Sequence, residues 1–129
     1  MTLLLDTHVV HWLASEPDRL SAAAHRAIAE ADDLAVADIS WFELAWLAAH
    51  QRIVVTGPLT TWLDELAEEL RTVPISPAIA ATAVSLPRSF PNDPADRLIY
   101  ATAVEHGWRL VTADRDVRAY RTPGRVALW

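Results

Sequence analysis

The sequence contains neither cysteine nor lysine, and each absence removes a class of chemistry. Without cysteine, the 129 residues form no disulfide framework, thiolate zinc site, iron–sulfur site or cysteine nucleophile. Without lysine, they support neither Schiff-base catalysis nor a phosphate-binding loop that depends on a lysine. Glycine is also scarce, and 22% of the residues are charged, which excludes a collagen-like or a disordered chain.

Long hydrophobic runs are missing as well. No apolar segment approaches the ~20 residues that a membrane helix requires. The N-terminal segment carries Asp6 inside its apolar stretch and has no basic region before it, which is not typical of a signal peptide. We therefore expect a cytoplasmic protein with no membrane association. Because a domain usually takes ~100–200 residues, we expect one domain over residues 1–129.

The charge is strongly one-sided, with a net value of −6 and arginine as the only basic residue. Such a balance is unfavourable for binding nucleic acid, because neutralisation of phosphates supplies much of that affinity. A bound divalent metal ion would offset the deficit locally.

Short apolar runs alternate with longer helical patterns along the chain. Strands are predicted at residues 2–5, 34–37, 72–75, 109–112 and 125–128. Helices are predicted at residues 7–14, 21–32, 40–50, 58–70, 76–86, 93–106 and 114–120. This alternation is typical of a parallel sheet that is covered by helices on both faces.

Three aspartates lie just past predicted strands: Asp6, Asp38 and Asp114. Ligand sites of open parallel sheets form outside the carboxyl ends of the strands. Carboxylates gathered there repel one another unless a cation lies among them, and hard oxygen ligands suit Mg²⁺ or Mn²⁺. Such a cluster can activate water and stabilise the leaving oxygen in phosphodiester cleavage.

Several of the acidic residues also have an ordinary interpretation as helix caps. Asp6 precedes one predicted helix, and either Asp114 or Asp116 can cap another. Asp93 directly precedes a proline at the start of a helix, so we assign it to capping alone.

The other acidic residues have structural alternatives too. Glu43 lies three residues after Ser40, which is the spacing of a capping box. Asp96 lies in the first turn of its helix, where a carboxylate interacts favourably with the helix dipole. Asp38 is expected to act as a turn residue.

Histidine and tryptophan offer weaker signals. His8 and His11 are three residues apart on one predicted helix, but no further His or Glu lies at a recognised metal-binding spacing, so packing or surface roles are favoured. The six tryptophans fall mainly on apolar helix faces or strand ends, as expected for packing in the core and at interfaces. Base stacking is the alternative for an exposed ring.

Four segments occur in one order along almost the whole chain. They are LLLDTHVVHWL at residues 3–13, ISWFELAWL at 39–47, DPADRLIYATA at 93–103 and LVTADRDV at 110–117. Together they resemble the PIN domain family, and within it most closely the VapC-like ribonuclease toxins of bacterial type II toxin–antitoxin modules. The resemblance implies a three-layer α/β/α sandwich with a central parallel sheet.

The resemblance also implies a metal-dependent endoribonuclease with an acidic quartet, which falls here on Asp6, Glu43, Asp96 and Asp114. Asp96 matches rather than Asp93, because it directly precedes RLIYATA. In that mechanism Asp6, Asp96 and Asp114 hold one or two Mg²⁺ or Mn²⁺ ions, mostly through water, and Glu43 completes the shell or orients the attacking water. The products carry a 5′-phosphate and a 3′-hydroxyl.

Three further residues are expected near such a site. Asp116 is an accessory acid, and Thr112 supplies a hydroxyl at the end of a strand. Arg97 adjoins Asp96 and is expected either to contact phosphate or to form a structural ion pair.

The expected partners are an RNA substrate, a cognate antitoxin protein and a second copy of the chain in a homodimer. The tryptophan-rich helices at residues 41–50 and 58–70 carry more apolar surface than a small domain easily buries, so we expect them to form these protein contacts.

Three other interpretations stay open at this point. A phosphoacceptor receiver domain has a similar length and an acidic pocket, although it normally needs a lysine. A haloacid-dehalogenase-like phosphatase would have two aspartates one residue apart after the first strand, where this chain has Asp6-Thr7-His8. A catalytically inactive PIN fold that binds protein is the third.

Overall fold

The computed structural model describes residues 1–121 and 124–129. Its strands are β1 (Thr2–Leu5), β2 (Asp33–Ala37), β3 (Arg71–Val73), β4 (Arg109–Val111) and β5 (Ala127–Leu128). They form one parallel sheet in the order β3-β2-β1-β4-β5. The third strand ends at Val73, earlier than predicted, and is followed by Pro74, which has no N–H to donate to a ladder. The fifth is also shorter than predicted.

Helices connect the strands. They are α1 (Thr7–Ser15), α2 (Ala22–Glu30), α3 (Ile39–Ala49), α4 (Leu59–Glu69), α5 (Pro77–Ser85), α6 (Pro94–His106) and α7 (Arg115–Ala119). A single 3₁₀ turn, which the sequence patterns did not indicate, spans Pro17–Arg19 between α1 and α2. Within the described residues, no helix is long and apolar enough to cross a membrane.

Two hydrophobic layers enclose the sheet. Leu3 and Leu5 point to one face, where they pack with the apolar sides of α1, α2, α3 and α4. Leu4 points to the other face and packs with α6 and α7, including Tyr100 and Val117. Because successive strand residues point to opposite faces, a run such as Leu3–Leu5 must be apolar throughout. The predicted three-layer α/β/α sandwich is thereby confirmed.

The strand order distinguishes the PIN-like fold from a receiver domain. A receiver domain has the order 2-1-3-4-5, whereas this sheet runs 3-2-1-4-5. The chain builds β2 and β3 on one side of β1 and then crosses to build β4 and β5 on the other. The receiver interpretation is therefore wrong, and a topological switch point lies between β1 and β4, where α/β sheets form ligand sites.

Helix caps follow the sequence signals in most places. Ser21 and Ser76 accept hydrogen bonds from the backbone of their own helices, and Asp93 accepts one from Ala95 N at 2.8 Å. Gly107 ends α6 with a φ of 68°, a left-handed conformation that glycine adopts without steric cost.

The α5–α6 connection is organised around Arg97. Its guanidinium donates to five backbone carbonyls, those of Ala83, Leu86, Pro87, Phe90 and Pro91, over 2.9–3.3 Å. It also lies over the Phe90 ring, 5.8 Å from the centroid. Arg97 therefore stabilises the α5–α6 loop through backbone hydrogen bonds, and does not make the expected phosphate contact or ion pair.

Replacing Arg97 with alanine should lower the free energy of unfolding by about 2–4 kcal/mol, because a charged donor is lost and several partly buried carbonyls lose their partner. Urea denaturation measures this change. Arg88→Ala is the matched control, since Arg88 is exposed in the same loop, and should change stability by less than ~0.5 kcal/mol. Equal effects of the two substitutions would contradict the bracing role.

Candidate active site

The site begins at the switch point, with Asp6 directly after β1. Asp6 caps α1 by accepting from Thr7 N at 2.8 Å, and its other oxygen accepts from the Thr112 hydroxyl at 2.7 Å. Thr112 follows β4, is fully buried, and accepts from Asp114 N at 3.1 Å. The hydroxyl of Thr112 therefore joins the ends of two adjacent strands and fixes Asp6 relative to Asp114.

Glu43 reaches the same region from α3. The predicted capping box is wrong, because α3 begins at Ile39 and its N-cap residue, Asp38, makes no side-chain cap bond. Instead, the Thr7 hydroxyl donates to Glu43 Oε1 at 2.5 Å and lies 2.9 Å from Ser40 Oγ. These contacts hold the Glu43 carboxylate against the start of α1.

The first turn of α6 supplies two acidic side chains. Asp93 caps the helix as predicted, but it also lines the cavity in front of Asp6, so capping is only part of its role. Asp96 lies one turn further on and faces the same cavity. Unlike Asp6 and Glu43, Asp96 receives no side-chain hydrogen bond from the residues that the structure describes.

An open cavity of about 500 Å³ brings these groups together. Ten residues from four parts of the chain line it: Asp6, Thr7, His8, Trp12, Arg19, Glu43, Asp93, Asp96, Ala113 and Asp114. All four residues of the predicted quartet are among them.

The structure places other predicted residues elsewhere. Asp38 is turned to the neighbouring connection, where its carboxylate accepts from Ile75 N at 3.1 Å, which fits the predicted turn role. Asp116 is exposed on α7 and is not part of the cavity lining; its backbone N–H donates to Asp114 Oδ1. Asp114 caps α7 and lines the cavity, so it has both of the positions predicted for it, as a helix cap and as a member of the acidic quartet.

Trp12 and Arg19 also line the cavity, although the sequence analysis did not assign them to the site. The Arg19 guanidinium lies 4.4 Å from the centroid of the Trp12 ring, and it is held there by the 3₁₀ turn that the patterns did not indicate. His8 and His11 diverge: His8 lines the cavity, whereas His11 is buried with Nε2 3.3 Å from Glu16 Oε2. The helical spacing of Trp12 and His8 was the only available clue to a shared face.

Burial and like charge raise the pKa of three of these carboxyl groups. For Asp6 burial dominates, and the hydrogen bonds from Thr112 and Thr7 offset part of the rise in pKa. Burial also raises the pKa of Glu43, again offset in part by Thr7. The pKa of Asp96 rises to about 7, first through burial and then through the charges of Asp93, Asp6, Asp114 and Glu43. The site therefore brings together carboxyl groups that repel one another, and His8 offsets only part of the resulting rise in pKa at Asp6 and Glu43.

The donor set fits a hard divalent cation. Carboxylate oxygens are the ligands that Mg²⁺ and Mn²⁺ prefer, and a bound cation would lower the pKa values that burial and like charge raise here. Among the described residues, no three His, Asp or Glu side chains are close enough to hold one ion by themselves. Mg²⁺ commonly binds one or two carboxylates and keeps several waters, so the arrangement suits a partly hydrated ion.

The sequence of this chain is similar to a known family over almost its whole length. The model of the PIN domain matches residues 3–123, and the chain belongs to this family. Ribonuclease VapC22 from Mycobacterium tuberculosis is 63% identical over 128 residues, which cover 99% of this chain and 98% of that protein. The resemblance drawn from the four motifs is confirmed.

Solved structures agree on the fold. VapBC2 from Rickettsia felis, bound to a DNA fragment from its promoter, superposes with a TM-score of 0.74 at 16% identity and covers 100% of this chain and 99% of that chain. VapBC-1 from nontypeable Haemophilus influenzae gives a TM-score of 0.74 at 15% identity, with 99% and 97% coverage. At these identities the likeness bears on the fold alone.

The raised pKa of Asp96 predicts how stability depends on pH in the metal-free protein. Between the ordinary value of 3.8 and about 7, the folded protein holds more protons than the unfolded chain, so the free energy of unfolding falls as pH rises. Asp96→Asn removes this fall. At pH 8 in EDTA the variant should match wild type or exceed it by about 0.5–2 kcal/mol, a range reduced for partial exposure.

Thermal and urea unfolding at pH 5 and pH 8 measure the difference, which should shrink at the lower pH. Asp64→Asn is the control, because Asp64 is exposed on α4 and does not line the acidic cavity. If Asp96 served only the helix dipole, its loss would instead cost a few tenths of a kcal/mol at pH 8.

Proposed function

We propose that this protein is a metal-dependent endoribonuclease and the toxin of a type II toxin–antitoxin pair, with Asp6, Glu43, Asp96 and Asp114 as its active site. The observation that carries the proposal is the meeting of these four carboxylates in one cavity at the switch point, with raised pKa values for three of them. The high identity to a protein named as a ribonuclease over nearly the full chain supports the same activity.

In this proposal Asp6, Asp96 and Asp114 would hold one or two Mg²⁺ or Mn²⁺ ions, mostly through water. When bound, such an ion lowers the pKa of a coordinated water and stabilises the charge that develops on the phosphodiester. The chain's own contribution is rigidity: the Thr112 hydroxyl fixes Asp6, and the α7 backbone fixes Asp114 through Asp116 N and Val117 N.

Glu43 and Arg19 have complementary roles. The Glu43 carboxylate keeps one oxygen on the Thr7 hydroxyl and has the other available to orient the attacking water. Arg19 is the one cationic arginine in the described cavity lining, where it can contact a phosphate oxygen of the substrate. Hydrolysis adds water across the P–O3′ bond, leaving a 5′-phosphate and a 3′-hydroxyl.

Substituting Asp6, Asp96 or Asp114 by asparagine should lower RNA cleavage at least ~100-fold, because each change keeps the side-chain shape and removes a charge that holds the metal. A gel assay on single-stranded RNA with Mg²⁺ or Mn²⁺ measures this, with Asp64→Asn as the exposed-acid control. Cleavage by wild type that persists in excess EDTA would contradict metal dependence.

Asp93→Asn tests whether Asp96, rather than Asp93, is the metal-binding acid at the start of α6. Asparagine still accepts a capping hydrogen bond, so this variant should fold and keep more activity than Asp96→Asn. Mn²⁺ should also raise the melting temperature of wild type but not that of Asp96→Asn, because an ion that binds only the folded state stabilises it. The reverse order of the two variants would assign the metal to Asp93.

An apolar groove beside the acids fits the expected antitoxin contact. Phe42 and Trp46 on α3 are 64% and 43% exposed, and they line a cavity of about 290 Å³ together with Glu43 and Asp93. Exposed apolar patches of this kind mark protein contacts. We propose that an antitoxin segment covers the groove with apolar side chains and places an arginine on the adjacent carboxylates, and that the same helix contributes to a homodimer.

The double substitution Phe42→Ser and Trp46→Ser should weaken both associations while cleavage persists. Sedimentation at ~100 μM should show dimers for wild type and a shift to monomers for the variant, and co-expressed protein from the adjacent reading frame should no longer inhibit it. Val54→Ser with Val84→Ser is the matched control, since these side chains are 88% and 81% exposed outside the groove. Dissociation by the control instead would assign the contact to another face.

A further inference from the structure

A second, oppositely charged cavity lies at the edge of the sheet. It has a volume of about 240 Å³, and four of the eleven arginines line it: Arg109, Arg118, Arg121 and Arg125. They come from β4, α7 and the segment that leads into β5. In a chain of net charge −6, this is a concentration of positive charge that the overall composition conceals.

These arginines are not neutralised by the protein around them. None of the four forms an ion pair with a carboxylate in residues 1–121 and 124–129. Arg118, Arg121 and Arg125 are exposed, and Arg109 is half-buried, with its guanidinium donating to Ala127 O at 2.7 Å. Like charges gathered without a counterion repel, so an anion bound among them would be stabilised.

A tryptophan pair connects this cavity to the acidic one. Trp129 lines the arginine cavity, and its ring centroid is 5.9 Å from that of Trp12, which lines the acidic cavity. The Arg19 guanidinium lies over the Trp12 ring of this pair, 4.4 Å from its centroid. Both indoles are partly exposed, as base-stacking rings must be.

We propose that the four arginines and Trp129 form a binding track for the single-stranded RNA strand that continues out of the active site. Guanidinium groups contact successive phosphates, and a base stacks on the indole at the junction, which is the combination that single-strand binding sites use. The track rests on the proposed ribonuclease function. It also explains how a chain of net negative charge can bind RNA, because the carboxylates and the four arginines line separate cavities.

The test compares two triple variants of equal charge change. Arg118→Gln, Arg121→Gln and Arg125→Gln together remove the exposed part of the track. Arg26→Gln, Arg52→Gln and Arg88→Gln together remove three exposed arginines outside both cavities. The probe is a fluorescently labelled 20-nucleotide RNA without secondary structure, and its binding is followed by anisotropy in EDTA over a range of salt concentrations.

The track variant should bind the RNA at least ~10-fold more weakly, and the slope of log affinity against log salt should fall by about 2, since each lost phosphate contact removes ~0.7. The control triple should stay within ~2-fold of wild type. In the metal-containing cleavage assay, the KM of the track variant should rise while kcat is retained, because the acids are untouched.

Trp129→Leu tests the stacking step, with Trp108→Leu as a control at a partly exposed tryptophan that lines neither cavity. Only Trp129→Leu should lower RNA affinity, by at least ~5-fold and with an unchanged salt slope, because stacking is not ionic.

The outcomes separate the track from the function on which it rests. If wild type cleaves RNA and the two arginine triples bind it equally, the track is wrong and the ribonuclease function stands; an acidic protein partner at the cluster would give this result. If wild type neither cleaves nor binds RNA under any metal condition, the proposed function fails and the track fails with it.

Discussion

The hydrogen bond from the Thr112 hydroxyl to Asp6 is the contact on which the site depends. It joins the carboxyl ends of β1 and β4 at the topological switch point, where the chain stops adding strands on one side of β1 and begins adding them on the other. Asp6 also begins α1, whose first residue holds Glu43, so one carboxylate sets the positions of two more acidic groups. Moving Asp6 would disturb α1, the β4 end and Glu43 together.

That arrangement has an electrostatic cost, which the fold bears because its strand ends are rigid. Burial, and after it the charges of the neighbouring carboxylates, raises the pKa of Asp96 to about 7, and no side-chain hydrogen bond from the described residues offsets this rise. A flexible surface would separate such charges. The buried sheet and the two layers of helices prevent that separation.

Charge is distributed unevenly over this small protein, and the distribution matters more than the total. Acidic side chains gather at the carboxyl end of the central strands, whereas arginines gather along the edge strand β5. Trp12 and Trp129 lie between the two regions in mutual contact. A net charge of −6 argues against a nucleic-acid partner only when the charges are averaged over the surface.

Local signals in the sequence determined the strands, the helices and most caps, because the apolar periods of two and 3.6 and the placement of Ser, Asp, Pro and Gly act over a few residues. They also singled out Asp6, Glu43, Asp96 and Asp114 through the family motifs. Tertiary structure alone decided the strand order, the pairing of Glu43 with Thr7 in place of Ser40, and the loop contacts of Arg97. It alone brought Asp93, Arg19 and Trp12 into the cavity and four arginines to one edge. The reason is physical: these contacts join residues far apart in the chain, and only the packing of helices on a sheet fixes their distances.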